Sequence, residues 1–372
     1  MKATRLHIFL YFISFILCFV AIQSCKIGRF VVYNFADIKD HQKFPFHSIK
    51  EGAQKYHFPQ SKKGLAPKTI EVGGKEIPFD RYLERHKSVA FLIIKNDSIQ
   101  YEQYFNEYDE ASIVPSFSMA KSVTSILIGC AIDDKLIGSV QDPVSKYIPE
   151  LSKNGFDKVS IEHLLQMTSG LDFNEGYVNP FSEVATFYYG TNLRKAVSGL
   201  TLKTTPGTKF EYVSGNPQVL GLVLERALKG KTISAYLQEK IWQPLGMEYS
   251  ATWSTDKRND GLEKTFCCLN ARARDFAKIG RLYLNNGKWN GKQLVSESWV
   301  KQSTKVDTSN GSAWYYQYQW WLPTKNGDYM AQGILGQYVY VNPAKNLVIV
   351  RLGSSTDKVK WSDLFVDIAA MY

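Results

Sequence analysis

Ser118 and Lys121 are the residues best placed to do chemistry together. They lie three apart in Pro115-Ser-Phe-Ser-Met-Ala-Lys-Ser-Val-Thr-Ser-Ile-Leu-Ile-Gly129. On a helix, positions i and i+3 share a face, so hydroxyl and amine can meet. A lysine takes a serine's proton only when it is itself neutral, and both burial and a helix N-terminus lower its pKa. The same N-terminus offers backbone N–H groups that can hold an oxyanion. The segment is therefore expected to supply a nucleophile, its base and half of an oxyanion hole. The spacing alone is weak, because it recurs at Ser254/Lys257, Ser298/Lys301 and Ser355/Lys358. Only Lys121 is followed by the apolar run Val123, Ile126, Leu127, Ile128, Ala131 and Ile132, which predicts a buried helix.

Other hydrolytic chemistries find no support. The six histidines are His7, His41, His47, His57, His86 and His163, and none follows residue 163. A Ser-His-Asp hydrolase of the α/β type carries its serine in Gly-x-Ser-x-Gly and its histidine last, and this chain has neither. His-Glu-x-x-His is missing too, and no Cys/His cluster has metal-ligand spacing, so neither a metal nor a cofactor is expected. His163 is read as structural, on a short amphipathic helix at 161–167.

A second constellation stands in Pro206-Gly-Thr-Lys-Phe-Glu-Tyr212-Val-Ser214-Gly-Asn216-Pro-Gln-Val-Leu-Gly221. With Ser118 and Lys121 ahead of it, it resembles the Tyr-x-Asn or Tyr-x-Ser motif of serine hydrolases related to β-lactamases and penicillin-binding proteins. The best match is the 6-aminohexanoate-dimer hydrolase branch, which has Tyr-x-Ser-x-Asn before an apolar helix. His163–Leu171, Gln243–Met247, Ala273–Gly280 and Tyr318–Trp321 resemble the same family in order and spacing, so the likeness runs from about residue 85 to the C-terminus. At the family's third motif, Lys-Thr-Gly or His-x-Gly, this chain reads Ala331-Gln332-Gly333. The missing cation argues against β-lactams and peptidoglycan as substrates. Gly333 still permits close approach of a substrate to the strand.

The resemblance implies an acyl-enzyme mechanism without a cofactor, acting on a small ester or linear amide. Ser118 would be the nucleophile, Lys121 its base and Tyr212 the proton relay, with a nearby ammonium favouring the phenolate of Tyr212. The N–H groups of Ser118 and Ile334 would form the oxyanion hole. Ser214 and Asn216 orient the lysine or the substrate, or else cap the helix that follows. Trp320 and Trp321 line the acyl pocket or else pack in the core. Asp172 and Glu175 bind a substrate ammonium or else stand as exposed loop carboxylates.

Residues 89–105 read as a hairpin turning at Asn96-Asp97. Helices are predicted at 215–228, 232–242, 272–285 and 361–370. Short strand-like runs fall at 315–322, 328–332, 337–341 and 346–352. Strands at both ends and helices between predict an α+β fold, and the resemblance implies that it is β-lactamase/transpeptidase-like. One antiparallel sheet would be flanked by helices, with a mostly helical insert at about 140–270. The hydrolase domain is expected over 86–372, with its cleft where the Ser118 helix begins between the two parts.

The chain has 372 residues, is 44% apolar and carries a formal charge of +10. Lys2 and Arg5 precede an apolar stretch from Ile8 to Ile22 that ends in Gln23-Ser24-Cys25, which resembles a bacterial lipoprotein signal or a signal anchor. Residues 1–25 are therefore expected to place the mature chain on the periplasm-facing side of a bacterial envelope, tethered by the anchor or by a lipidated Cys25. Residues 26–85 read as a basic, solvated extension. No pattern points to nucleic acid. Cys130 is expected to pack as a small apolar residue. The adjacent Cys267 and Cys268 are expected to be too close to pair.

Overall fold

The structure is a computed structural model that describes residues 26–33 and 35–372. The expected signal segment and Cys25 lie outside the described residues. Among those described, no helix is long and apolar enough to cross a membrane.

Seven antiparallel strands form the main sheet, in the order Tyr316–Gln317, Trp320–Trp321, Tyr329–Gly333, Gln337–Asn342, Leu347–Gly353, Ser88–Lys95, Ser98–Tyr104. The first five come from the end of the chain and the last two from the hairpin near its start. The seam between them pairs Ile349 with Ile93 and Val350 with Leu92. Central strands are buried on both faces and so read as continuous apolar runs, as in Val89–Ile94. Alternation sorts their side chains. Phe91, Ile93, Tyr340 and Ile349 pack under the helices Phe79–Arg85 and Trp361–Ala370. Leu92, Val339, Val348 and Val350 face the larger core on the other side, beneath the helix Ala273–Leu284.

The helical part holds Ile161–Leu165, Glu183–Tyr189, Leu193–Ser198, Gly215–Ala227 and Ile233–Leu237. The expected insert to about residue 270 is not helical to its end. Ala251–Ser254 and Leu269–Ala271 are strands of a second sheet, completed by Phe46–Ile49 and Val114–Pro115. That sheet also corrects the reading of residues 26–85 as a solvated spacer. Phe46–Ile49 pairs with Ala251–Ser254 over four residues. Phe44 and Ile49 are core residues, and the helix Lys26–Tyr33 packs on Glu183–Tyr189. Lysines scattered through this stretch concealed it, because each apolar anchor stands almost alone in sequence.

The helix Met119–Asp133 lies between the two parts and touches both the Gly215–Ala227 helix and the Tyr329–Gly333 strand. All its residues through Ala131 are buried, Cys130 included. Cys267 and Cys268 depart from expectation: they form a vicinal disulfide with an S–S distance of 1.94 Å. The backbone bends at Cys268, where φ is 71°.

Candidate active site

Ser118 stands at the N-cap of the Met119–Asp133 helix. The preceding Phe117 is buried with φ at 43°, a left-handed conformation that costs a non-glycine residue free energy and is held only by its surroundings. The N–H groups of Met119, Ala120 and Lys121 close turns onto the carbonyls of Ser116, Phe117 and Ser118. Ser118 itself is half-buried and faces a cavity of about 270 Å³.

One turn along, Lys121 is buried, and its Nζ donates to Ser118 Oγ at 2.7 Å and to the Phe266 carbonyl at 2.8 Å. Burial lowers its pKa to about 7, against a smaller opposing pull from the Glu175 carboxylate. The Phe266 carbonyl is itself held in place. Thr124 on the same helix donates to the Thr265 carbonyl at 3.0 Å, and Thr265 donates to the Pro217 carbonyl at 2.7 Å. The segment is thus pinned between the Ser118 helix and the helix Gly215–Ala227.

Tyr212 reaches the same point from the loop before Gly215–Ala227. Its ring centre is 5.2 Å from Lys121 Nζ and 5.4 Å from the ring of Trp321. It keeps part of its surface on the cavity, yet burial of the rest pushes its phenol well above the ordinary value, with the Ser118 hydroxyl opposing in part. The expected phenolate is therefore reversed. At Lys121 the dominant effect is loss of solvent, so the amine is the readily deprotonated group and Tyr212 keeps its proton.

Across the cavity, the strand Tyr329–Gly333 comes close to the start of the Ser118 helix. A Cβ on Gly333 would lie 2.4 Å from the Ser116 carbonyl and 3.1 Å from Ser118 N. Only a glycine lets this strand approach so near. Ile334 follows on the cavity wall, and Leu335 has φ at 61°. Left-handed residues thus flank both expected oxyanion donors, Phe117 before Ser118 and Leu335 after Ile334. The turn at 334–336 is clamped from beneath by buried Arg351, which donates to the Gly336 carbonyl at 2.7 Å and to those of His86 and Ser355.

The remaining expected residues divide. Trp321 lines the cavity. Trp320 does not: it is fully buried and stacks on Tyr283 at 4.3 Å, because adjacent strand residues point to opposite faces. Ser214 is the N-cap by position, but its hydroxyl makes no capping bond and donates to Glu175 Oε1 at 2.5 Å. Asn216 is buried and accepts from the Ser169 hydroxyl, so it fastens the helix to the 167–169 turn rather than facing the cavity. His163 and Ser160 form a reciprocal cap at the start of Ile161–Leu165. Lys257 and Lys301, from two of the competing Ser-x-x-Lys strings, pair with Asp260 and Glu297.

Glu175 is no loose carboxylate. It accepts from Ser214 N at 2.8 Å and from the Tyr177 hydroxyl at 2.7 Å as well as from Ser214 Oγ. Asp172 remains exposed. Tyr177, Gln332, Leu335 and Thr356 also line the cavity, and sequence reasoning named none of them as lining. Phe266 was missed because it acts through its main-chain carbonyl, which carries no side-chain signal. No charged side chain lines the cavity among the described residues. Nor do they contain a group of three or more His, Cys, Asp or Glu side chains able to hold a metal ion.

A hydroxyl, a buried amine and a phenol at the edge of a cleft, between an antiparallel sheet and a helical part, define a class of acyl-transferring serine hydrolases. Comparison with known proteins agrees. Residues 79–364 match the beta-lactamase family. The 6-aminohexanoate-dimer hydrolase of Paenarthrobacter ureafaciens is 31% identical over 304 residues, covering 75% of each chain. A solved Bacillus anthracis structure named after 6-aminohexanoate-dimer hydrolase superposes with a TM-score of 0.80 at 26% identity, over 90% of this chain and 92% of that one. A family VIII carboxylesterase shares the fold, with a TM-score of 0.60 at 15% identity over 77% and 93% of the two chains. The chain therefore belongs to the beta-lactamase family and is a serine hydrolase within it.

Proposed function

We propose that this serine hydrolase cleaves a neutral ester or linear amide through an acyl-enzyme on Ser118. The observation that carries the reading is the 2.7 Å hydrogen bond between Lys121 Nζ and Ser118 Oγ, made by an amine whose pKa burial brings to about 7. Neutral Lys121 takes the Ser118 proton as Oγ bonds to the substrate carbonyl carbon. Negative charge collects on the carbonyl oxygen, in front of the N–H groups of Ser118 and Ile334. Tyr212, held protonated, gives its proton to the leaving oxygen or nitrogen and recovers one from Lys121. A water then attacks the acyl-enzyme with the proton path reversed. The uncharged lining supports a neutral substrate, since an ammonium or carboxylate would be desolvated there without a partner.

An active-site-directed fluorophosphonate tests this assignment. Wild-type protein is expected to be labelled at Ser118, and Ser118→Ala to lose both labelling and ester hydrolysis by at least about 10³-fold. Equal labelling of the variant rules the assignment out. Residues 1–25 support a second element of the reading, export with tethering at the envelope, on sequence grounds alone.

A further inference from the structure

Among the described residues, fourteen large apolar side chains are exposed, and seven of them fall in two short stretches, 27–35 and 177–181. The two stretches share one face of the molecule. The helix Lys26–Tyr33 packs on Glu183–Tyr189 through Phe30, whose ring meets Tyr189 edge-on at 5.1 Å, and through Lys26, whose Nζ donates to Thr186 Oγ1 at 2.9 Å. Its outer side carries Ile27 and Val31, one turn apart. Phe35 follows and lines a cavity together with Tyr177. Beyond Tyr177 the chain makes a turn tied by Ser182, whose hydroxyl lies 2.9 Å from the Gly176 carbonyl and 2.8 Å from that of Asn179. The turn holds Val178 and Phe181 outward, 73% and 71% exposed. So concentrated an apolar surface marks a contact with something other than water. Beside it lies a depression lined by Arg29, Lys43, Lys257 and Arg258, with no carboxylate in its walls. Lys43 and Lys257 pair with Asp40 and Asp260, so cations still outnumber carboxylates there.

We infer that this face lies on an anionic phospholipid bilayer. The helix Lys26–Tyr33 rests along the surface and the 177–181 turn dips into it. The rim of the Ser118 cavity, which Tyr177 helps to form, is thereby held at the interface. The inference rests on the tethering reading for one premise, that residues 8–22 enter a membrane, and goes beyond it by assigning a face of the folded domain to lipid. Only residues 23–25 separate that apolar run from Lys26, and three residues span at most about 10 Å. The helix therefore cannot stand far off from a membrane that holds the run. Exposed apolar side chains bordered by lysine and arginine match acyl chains beneath anionic headgroups. A protein partner could cover the same side chains, yet it would give no reason for them to lie beside the end of the membrane-directed run.

Lipid photolabelling of the full-length protein tests this. The protein is reconstituted in vesicles of mixed neutral and anionic phospholipid that include a phospholipid with a diazirine on one acyl chain. After illumination, adducts are mapped by mass spectrometry. Residues 27–35 and 177–181 should carry adducts at least about fivefold more often than Val72, Val306 and Met371, which are exposed apolar residues outside the two stretches. Val31→Asp combined with Phe181→Asp, both at exposed positions, should lower the yield on both stretches at least about fivefold. Circular dichroism and hydrolysis of p-nitrophenyl acetate should stay as in the wild type. Adducts confined to residues 1–25 overturn this inference and leave the tether standing, with the face covered instead by the chain's own leader or a second copy. Equal yields on the two stretches and on the three reference residues overturn it as well, and so does a yield that the paired substitutions leave unchanged. Adducts nowhere in the chain overturn both the face and the tether, while fluorophosphonate labelling of Ser118 decides the hydrolase reading separately.

Discussion

Lys121 reads as a base because of where its amine ends. Solvent loss dominates its pKa, and the Glu175 carboxylate opposes the depression. A base must be unprotonated to act, so activity should appear as pH rises through the Lys121 pKa. The kcat/KM profile for an uncharged ester should therefore show an acid limb near pH 7, with about one-tenth of the plateau remaining one unit below it. Glu175→Gln removes the charge that holds this pKa up, so the limb should move to lower pH. A limb that moves upward, or stays in place, would mean that Glu175 acts only through its hydrogen bonds to Ser214 and Tyr177. Ser118 and Lys121 were legible in the sequence from their spacing and the apolar run behind them, and Tyr212 through the motif that resembles the family's. The protonation states were not, because solvent loss depends on everything packed around a side chain.

At the level of elements, the decisive contact is the approach of the Tyr329–Gly333 strand to the start of the Met119–Asp133 helix. Ala331-Gln332-Gly333 lacks a cation, yet it keeps the one residue that the backbone geometry demands. A methyl group at 333 would sit 2.4 Å from the Ser116 carbonyl, so Gly333→Ala must push strand and helix apart. Since the expected oxyanion donors lie one on each element, kcat should fall on the order of 10²-fold, with a smaller change in KM. Circular dichroism should show the fold retained, and unchanged kcat would remove Ile334 from the oxyanion hole. Helix and strand positions were legible here because periodicity reports them. The hairpin turn at Asn96-Asp97 and the last helix at 361–370 fall where the patterns place them. The side of the strand on which Trp320 and Trp321 fall was not legible, since either side leads to a buried face.

Across the whole molecule, the N-terminal segment is the unexpected structural part. Phe46–Ile49 completes the second sheet, and Ile38, Phe44 and Ile49 are buried. At about 1.5–3 kcal/mol for each large apolar side chain, removal of these three costs about 4.5–9 kcal/mol, comparable with the whole stability of an ordinary domain. A chain beginning at residue 50 should therefore aggregate on expression, or melt at least about 10 °C below a chain beginning at Lys26. Equal melting temperatures by calorimetry would show that the segment is only draped on the surface.

The sequence by itself determined the chemistry class, the α+β order of elements and the three side chains proposed to react. Ser118, Lys121 and the order of elements follow from residue type, local spacing and local periodicity, and Tyr212 from a motif that resembles the family's, all of which a linear string carries. Tertiary structure alone decided that burial favours the neutral amine of Lys121 and the protonated phenol of Tyr212, that Trp320 is core, that Glu175 is bound in a network and that the N-terminal segment completes the second sheet. The physical reason is common to all four. Desolvation, sidedness and cavity shape are set by residues distant in sequence, and no local pattern records them.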